Sequence, residues 1–100
     1  MAVHDSGKEF AHEADAARYT LRINGDLVAL VDYSVNGNST SFTHTYTQPH
    51  LRGHGYASEI VEFAVNDVES TSTQRVVPMC WYVDKWFAEH PERAALLASR

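Results

Sequence analysis

The chain has 100 residues, of which 44% are hydrophobic, so it is long enough for one domain with a small core. Its net charge is −5 and its eight Lys and Arg residues are scattered, which argues against nucleic acid or an anionic membrane as the main partner. A single cysteine, Cys80, excludes an internal disulfide, and the sequence has no apolar run of membrane length, so we expect a cytoplasmic protein.

The N-terminal part of the sequence predicts a tail followed by two strands. Met1–Gly7 is polar and is expected to be a flexible tail, with a single domain over residues 8–98. An edge strand is predicted over Lys8–Glu13. Clean alternation of apolar and polar side chains predicts a second strand over Arg18–Ile23, and Asn24-Gly25 after it is typical of a hairpin turn whose central residues have positive φ.

Two further strands complete a predicted antiparallel meander. Leu27–Val35 is apolar on both faces at its start, which is typical of a central strand that is covered on each side. Asn36-Gly37 is a second hairpin signal of the same kind, and Ser39–Thr47 follows as a strand rich in Thr and aromatic residues. Its ring-bearing side chains are expected to share one face: Phe42, His44 and Tyr46.

The stretch Pro49–Ala57, with the spacing R-x-x-G-x-A set by Arg52, Gly55 and Ala57, joins the meander to a helix. Its two glycines can adopt positive φ and let the backbone approach a ligand. The helix start offers unpaired N–H groups and the positive end of the dipole, which together bind phosphate. The stretch therefore predicts a pyrophosphate-binding turn, although turns of this kind also occur without any ligand.

Helical periodicity predicts an amphipathic helix over about Gly55–Glu69. A strand is predicted over Arg75–Trp81, parallel to the last meander strand through a right-handed crossover. Pro78 cannot donate to the ladder, so the two parallel strands are expected to part there and leave a cleft. Tyr82–His90 predicts a second helix, and a last short helix is expected from Pro91 to about Leu97. The predicted fold class is mixed α+β.

Four pieces of the sequence, in this order and at this spacing, carry a resemblance to a known family. They are His44-Thr45-Tyr46, Leu51-Arg52-Gly53-x-Gly55-x-Ala57-Ser58, Pro78-x-Cys80 with Tyr82-Val83, and His90-Pro91-Glu92. The chain resembles the small, single-domain YjdJ-type GNAT-like proteins of the GNAT acetyltransferase superfamily from about Phe10 to Leu97. It departs from the superfamily in lacking a helical pair near the first strands, which leaves the acceptor side open.

The resemblance implies that acetyl-CoA (coenzyme A) binds through the turn and the adjoining strand. His44 and Cys80 match positions proposed to line the acetyl pocket, so they are the candidate catalytic residues. The candidate cofactor-binding residues are Tyr46, Thr47, Arg52, Gly53, His54, Gly55, Tyr56, Ala57, Ser58, Tyr82 and Trp86. No role carries over to His50, and because no third ligand accompanies His50 and His54, no metal site is expected.

Each candidate has an alternative structural role. His44 can take or give a proton near neutral pH, or it is a half-buried strand histidine. Cys80 can accept the acetyl group as a thioester if its pKa is lowered, or it is a small buried apolar side chain. Arg52 can bind phosphate or brace the turn. Tyr82 and Trp86 can stack on the cofactor or belong to the core.

The sequence thus predicts an N-acetyltransferase that moves an acetyl group to an amine of a small molecule or a protein. The transfer would be direct, with His44 carrying the proton, or would pass through Cys80. A CoA-binding or sensing protein without turnover is the alternative, and a thioester hydrolase is a third. The predicted partners are acetyl-CoA and an unidentified amine acceptor, with no nucleic acid or membrane, in a monomer or weak dimer.

Overall fold

A computed structural model describes residues 7–98 of the chain. The predicted tail therefore lies outside the described residues except for Gly7, whose carbonyl accepts a hydrogen bond of 3.2 Å from the Asn24 amide. The strands are β1 (Lys8–Glu13), β2 (Arg18–Ile23), β3 (Asp26–Asn36), β4 (Ser39–Thr47) and β5 (Arg75–Pro78). The helices are α1 (Tyr56–Thr71) and α2 (Trp81–Glu89), with short 3-10 turns at Ala14–Ala16, Pro49–Leu51 and Pro91–Leu96.

The five strands form one sheet in the order β1-β2-β3-β4-β5. The first four strands pair with one another antiparallel, and β5 runs parallel to β4. This arrangement confirms the predicted meander, crossover helix and parallel strand, and with them the mixed α+β class. It also places β3 at the centre of the sheet, where Val28, Ala29 and Val31 are fully buried.

The expectation that Phe42, His44 and Tyr46 share one face of β4 is wrong. Phe42 is 0% exposed in the core, whereas Tyr46 is 37% exposed and His44 lies on the surface. The register explains the difference: Tyr33 pairs with Phe42 and Asp32 pairs with His44, so Thr43 is an extra residue in β4. Such a bulge breaks the two-residue alternation and bends the strand.

Both helices pack their apolar faces into a common core with the sheet. The α1 residues at helical spacing are buried, as predicted: Ile60, Val61, Ala64, Val65 and Val68. Three side chains of α2 join them, Val83, Trp86 and Phe87. No helix within residues 7–98 has the length and apolar character needed to cross a membrane.

The parallel strands separate at Pro78. Their pairing runs from Ser39 with Arg75 to Phe42 with Pro78 and then ends. β5 is shorter than the predicted Arg75–Trp81 because the Cys80 amide turns to the Phe42 carbonyl, at 3.0 Å, and Trp81 already begins α2. The structure therefore contains the predicted parting of the strands, and α2 starts directly beside it.

A hydrogen-bonded aromatic cluster ties β1 and β2 to α1. The buried Tyr19 hydroxyl donates to Asp67 Oδ2 at 2.8 Å. His12 stacks on Tyr19 with ring centroids 4.2 Å apart, and its Nδ1 lies 3.3 Å from Asp67 Oδ2. Burial first, and then the Asp67 carboxylate, raise the pKa of Tyr19 far above its usual value.

This shift predicts a loss of stability in alkaline solution. Below pH ~10 Tyr19 is protonated in both the folded and the unfolded state; above it, only the unfolded chain releases the proton, so unfolding is favoured by about 1.4 kcal/mol per pH unit for this group. We expect Tyr19→Phe to flatten the fall of the unfolding free energy between pH 10 and 11. At pH 8 the variant should lose about 1–2 kcal/mol with the hydrogen bond.

Urea unfolding at pH 8, 10 and 11 measures both effects. Tyr46→Phe is the control, because Tyr46 is far more exposed than Tyr19 and should leave the alkaline slope unchanged. An alkaline slope identical in wild type and Tyr19→Phe would contradict the assignment.

Candidate functional site

Backbone hydrogen bonds hold the start of the turn between β4 and α1. The Gln48 amide donates to the Val28 carbonyl at 3.0 Å, and the Leu51 amide donates to the Gln48 carbonyl at 2.9 Å. Gly53 and Gly55 then have φ of 89° and 82°, a region that side chains with a Cβ rarely adopt. The two glycines let the chain reverse immediately before α1 begins.

The amides after this reversal are available to a ligand. Within residues 7–98, the N–H groups of residues 53–58 donate to no backbone carbonyl, and the first bond of α1 at this end is donated by the Glu59 amide to Gly55 at 3.1 Å. Free amides at a helix start, with the positive end of the dipole, form an anion-binding site. The exposed Arg52 guanidinium makes no hydrogen bond or ion pair within the described chain, so it does not brace the turn.

A cavity of about 620 Å³ opens between this turn, the end of β4 and the start of α2. The turn supplies one wall, β4 the floor, and the first residues of α2 the opposite wall. Its lining residues are His44, Thr45, Tyr46, Thr47, Leu51, Arg52, Gly53, Gly55, Tyr56, Ala57, Trp81 and Tyr82.

The structure brings most of the sequence-predicted residues to this cavity. Those that line it are His44, Tyr46, Thr47, Arg52, Gly53, Gly55, Tyr56, Ala57 and Tyr82. His54, Ser58, Cys80 and Trp86 do not line it. The His54 ring stacks on Tyr56 with centroids 5.6 Å apart, and Ser58 is hydrogen-bonded to Tyr82, so each contacts a residue that lines the cavity.

Trp86 belongs to the core and not to the cavity. It is 2% exposed and stacks on His90, whose ring lies 4.0 Å away. The His90 Nδ1–H donates to the Trp86 carbonyl at 2.7 Å. The predicted stacking of Trp86 on a cofactor is therefore replaced by a packing role, because its side chain faces the sheet from the inner side of α2.

Cys80 sits one layer behind the cavity wall. Its Sγ lies 3.5 Å from the Thr45 hydroxyl oxygen, and Thr45 itself faces the cavity. Burial acts to raise the pKa of the thiol, but hydrogen bonds from the Thr45 side chain and from the backbone of Tyr82, Val83 and Thr45 outweigh it and lower the pKa. His44 is not among the groups that shift the pKa of Cys80.

Sequence reasoning missed three lining residues and one charge near the turn. Thr45, Leu51 and Trp81 line the cavity. No local sequence pattern marks the bulge at Thr43 that precedes Thr45, and Trp81 was expected to lie in a strand. The Lys8 ammonium lies 3.0 Å from Glu59 in the first turn of α1 and 5.6 Å from the centroid of the Tyr56 ring, a contact that depends on tertiary packing.

Within the described residues, no three His, Cys, Asp or Glu side chains are grouped so as to hold a metal ion. At the cavity the structure places an anion-binding turn, an exposed histidine and, close by, a thiol whose pKa is lowered. These groups suit acyl transfer from a phosphate-bearing thioester.

Comparison with known proteins agrees with this assignment. The sequence model of the GCN5-related N-acetyltransferase family matches residues 18–96. No curated protein matches the chain at a significant level.

Solved structures share the fold at low sequence identity. A GCN5-like protein from Staphylococcus aureus superposes with a TM-score of 0.72 at 13% identity, over 95% of this chain and 92% of that one. The ribosomal-protein-S18-alanine N-acetyltransferase from Escherichia coli gives 0.55 at 15% identity, over 59% of this chain and 38% of that enzyme. A predicted acetyltransferase from Clostridium acetobutylicum, solved with acetyl-CoA, gives 0.53 at 15% identity, over 79% and 60%. The chain thus spans well under half of the Escherichia coli enzyme.

Proposed function

Because the chain belongs to the GCN5-related N-acetyltransferase family, we propose that it binds acetyl-CoA in the cavity beside the glycine turn and transfers the acetyl group to an amine. The observation that carries this proposal is the set of amides at residues 53–58, which donate to no backbone carbonyl within the described chain. These amides lie at the start of a helix of 16 residues. They have the donor chemistry that a pyrophosphate requires.

The lining residues fit the rest of the ligand. Arg52 adds a positive charge beside the turn, which suits a phosphate. Tyr46, Thr47 and Tyr82 offer the mixed apolar and hydroxyl-bearing walls that an uncharged amide-containing arm would contact. When bound, acetyl-CoA supplies an acetyl group activated as a thioester.

His44 is the residue we assign to proton transfer. It is exposed at the end of the cavity where β4 and β5 have parted, so an amine entering from solvent can reach its ring. An imidazole accepts the proton that an attacking amine must lose and can pass it on to a departing thiolate. Substitution of His44 by Gln should therefore lower kcat more than it changes KM for the thioester.

Direct transfer is favoured over a relay through the thiol of Cys80. The lowered pKa of Cys80 makes a thiolate more available, yet its Sγ is set behind Thr45 and does not line the cavity. The thiol is better placed to support the Thr45 side chain than to receive an acetyl group.

Three measurements test the proposal. Calorimetry should show CoA and acetyl-CoA binding to the wild-type protein, and an amine panel should show release of CoA thiol above the spontaneous rate. Intact mass after incubation with acetyl-CoA should show no lasting adduct. An added mass of about 42 Da, the mass of an acetyl group, that Cys80→Ala abolishes would establish the relay instead.

Other outcomes assign other functions. Binding without turnover of any amine would identify a CoA-binding or sensing protein. Hydrolysis of acetyl-CoA in the absence of amine would identify a hydrolase. Absence of CoA binding would overturn the proposal altogether.

A further inference from the structure

A second cavity, of about 600 Å³, shares Trp81 as a lining residue with the first. Its walls are apolar: Val77 and Pro78 come from β5, and Met79 follows them. Met79 is 67% exposed and Trp81 74% exposed, a degree of exposure that is unusual for such side chains. The shared tryptophan makes the two cavities neighbours at the point where β4 and β5 separate.

One carboxylate faces this apolar cavity. Of the described residues that line it, Asp84 alone is charged. Asp84 and Trp81 are three residues apart on α2 and so lie on one side of the helix. The Asp84 carboxylate makes no ion pair within residues 7–98, and the adjacent Lys85 is directed elsewhere, 3.2 Å from Glu89 and 5.7 Å from the centroid of the Tyr82 ring.

An exposed indole face beside a carboxylate, above apolar walls, is a site for an aliphatic ammonium group. The cation is attracted by the indole ring and by the carboxylate, while methylene groups cover the apolar walls. The net charge of −5 also favours the approach of a cation. A ligand with several ammonium groups joined by methylene segments would use all of these features.

We propose that the second cavity binds an aliphatic polyamine and that this polyamine is the acetyl acceptor, an inference that rests on the proposed function. One ammonium group is held between Trp81 and Asp84, and the free amine at another end of the molecule reaches past Trp81 into the first cavity. There the nitrogen forms a bond with the acetyl carbon as the carbon–sulfur bond breaks. The proton lost by the nitrogen ends on the CoA sulfur.

The outer edge of β5 is already paired with the chain itself, which favours a small molecule over a peptide. A peptide acceptor adding a strand here would need the backbone groups of Val76. Those groups are engaged, because Leu97 pairs with Val76 and the Ala98 amide donates to the Val76 carbonyl at 2.9 Å. What remains accessible is the side-chain surface of Met79, Trp81 and Asp84.

The test compares wild type, Asp84→Asn and the control Asp15→Asn. Asp15 is an exposed acidic residue in the 3-10 turn between β1 and β2. Asp15→Asn therefore changes the net charge by the same amount as Asp84→Asn, but at the β1–β2 edge of the sheet. With saturating acetyl-CoA, Asp84→Asn should raise KM for spermidine about tenfold and leave the weaker reaction of butylamine, a monoamine, unchanged. Asp15→Asn should behave as wild type with both amines.

Calorimetry separates this inference from the proposed function. Titration with spermidine alone should show binding to wild type that Asp84→Asn weakens about tenfold. If this binding is observed but no amine is turned over, the cation site stands, whereas the acceptor role and the proposed transferase activity are wrong. Equal binding of spermidine to wild type and Asp84→Asn would overturn the site. Acetylation of a lysine-rich peptide but not of spermidine would overturn the polyamine assignment.

Discussion

Replacement of Gly55 by valine is expected to weaken acetyl-CoA binding about 100-fold while the sheet stays folded. Gly55 has φ 82° and ψ 8° immediately before α1, where a β-branched residue is strongly disfavoured. No atom lies within 4 Å of an added Cβ, so the effect is conformational and not a clash. The exposed turn can relieve the strain by rotating to negative φ, which changes the direction of the amides that follow it.

The matched control is Gly37→Val. Gly37 also has positive φ, 57°, and open space around an added Cβ, but it lies in the hairpin turn between β3 and β4. Each substitution should cost about 1–2 kcal/mol of unfolding free energy, measured by urea unfolding. Calorimetry with acetyl-CoA should separate them, because only Gly55→Val changes the turn beside the cavity. Unchanged affinity in Gly55→Val would remove the turn from the binding site.

The parts of the fold that local chemistry determines were predictable from the sequence. Asn24-Gly25 forms the expected turn, and both residues have positive φ. The second turn lies one residue later than expected, at residues 37–38, because Asn36 still pairs with Ser39 at the end of β3, and of the expected pair only Gly37 has positive φ. The helical repeat of apolar residues from Ala57 to Val68 identified α1, and its members from Ile60 onward are the buried residues of the helix, whereas Ala57 is only partly buried. Glycines at positions 53 and 55 likewise indicated the reversal before α1, and both have positive φ.

The errors concern features that depend on strand pairing. No local pattern marks Thr43 as the extra residue of a bulge; it is extra only because Phe42 pairs with Tyr33 and His44 with Asp32. The end of β5 is similarly decided by the bond from the Cys80 amide to the Phe42 carbonyl. As a consequence, Thr45 and Trp81 reach the cavity although the sequence did not indicate them. An aromatic at helical spacing such as Trp86 fits a core position as well as a ligand contact.

Phe42 is a core residue at the last pair of β4 with β5, where the two strands separate. Phe42→Ala is expected to have the largest effect on stability. The side chain is 0% exposed, and its ring lies 6.3 Å from that of Tyr19. Truncation removes buried apolar contacts and leaves a cavity, which costs about 3–5 kcal/mol for a buried phenylalanine. That is a large share of the roughly 5–15 kcal/mol that stabilises a domain of this size.

Phe10→Ala is the control for loss of an aromatic ring from the same sheet. Phe10 is only partly buried on the edge strand β1 and stacks on Phe63 with centroids 5.2 Å apart, so it should cost about 1–2 kcal/mol. Urea midpoints of the two variants give the comparison, provided that the slope of free energy against urea is unchanged. The Phe42 backbone, which pairs with Pro78 and accepts the Cys80 amide, is retained in Phe42→Ala, so the change in stability reports the loss of the side chain. Equal destabilisation by the two substitutions would mean that the Phe42 side chain does not contribute a core residue's share of the packing. The register of β4 would then have to be assigned differently.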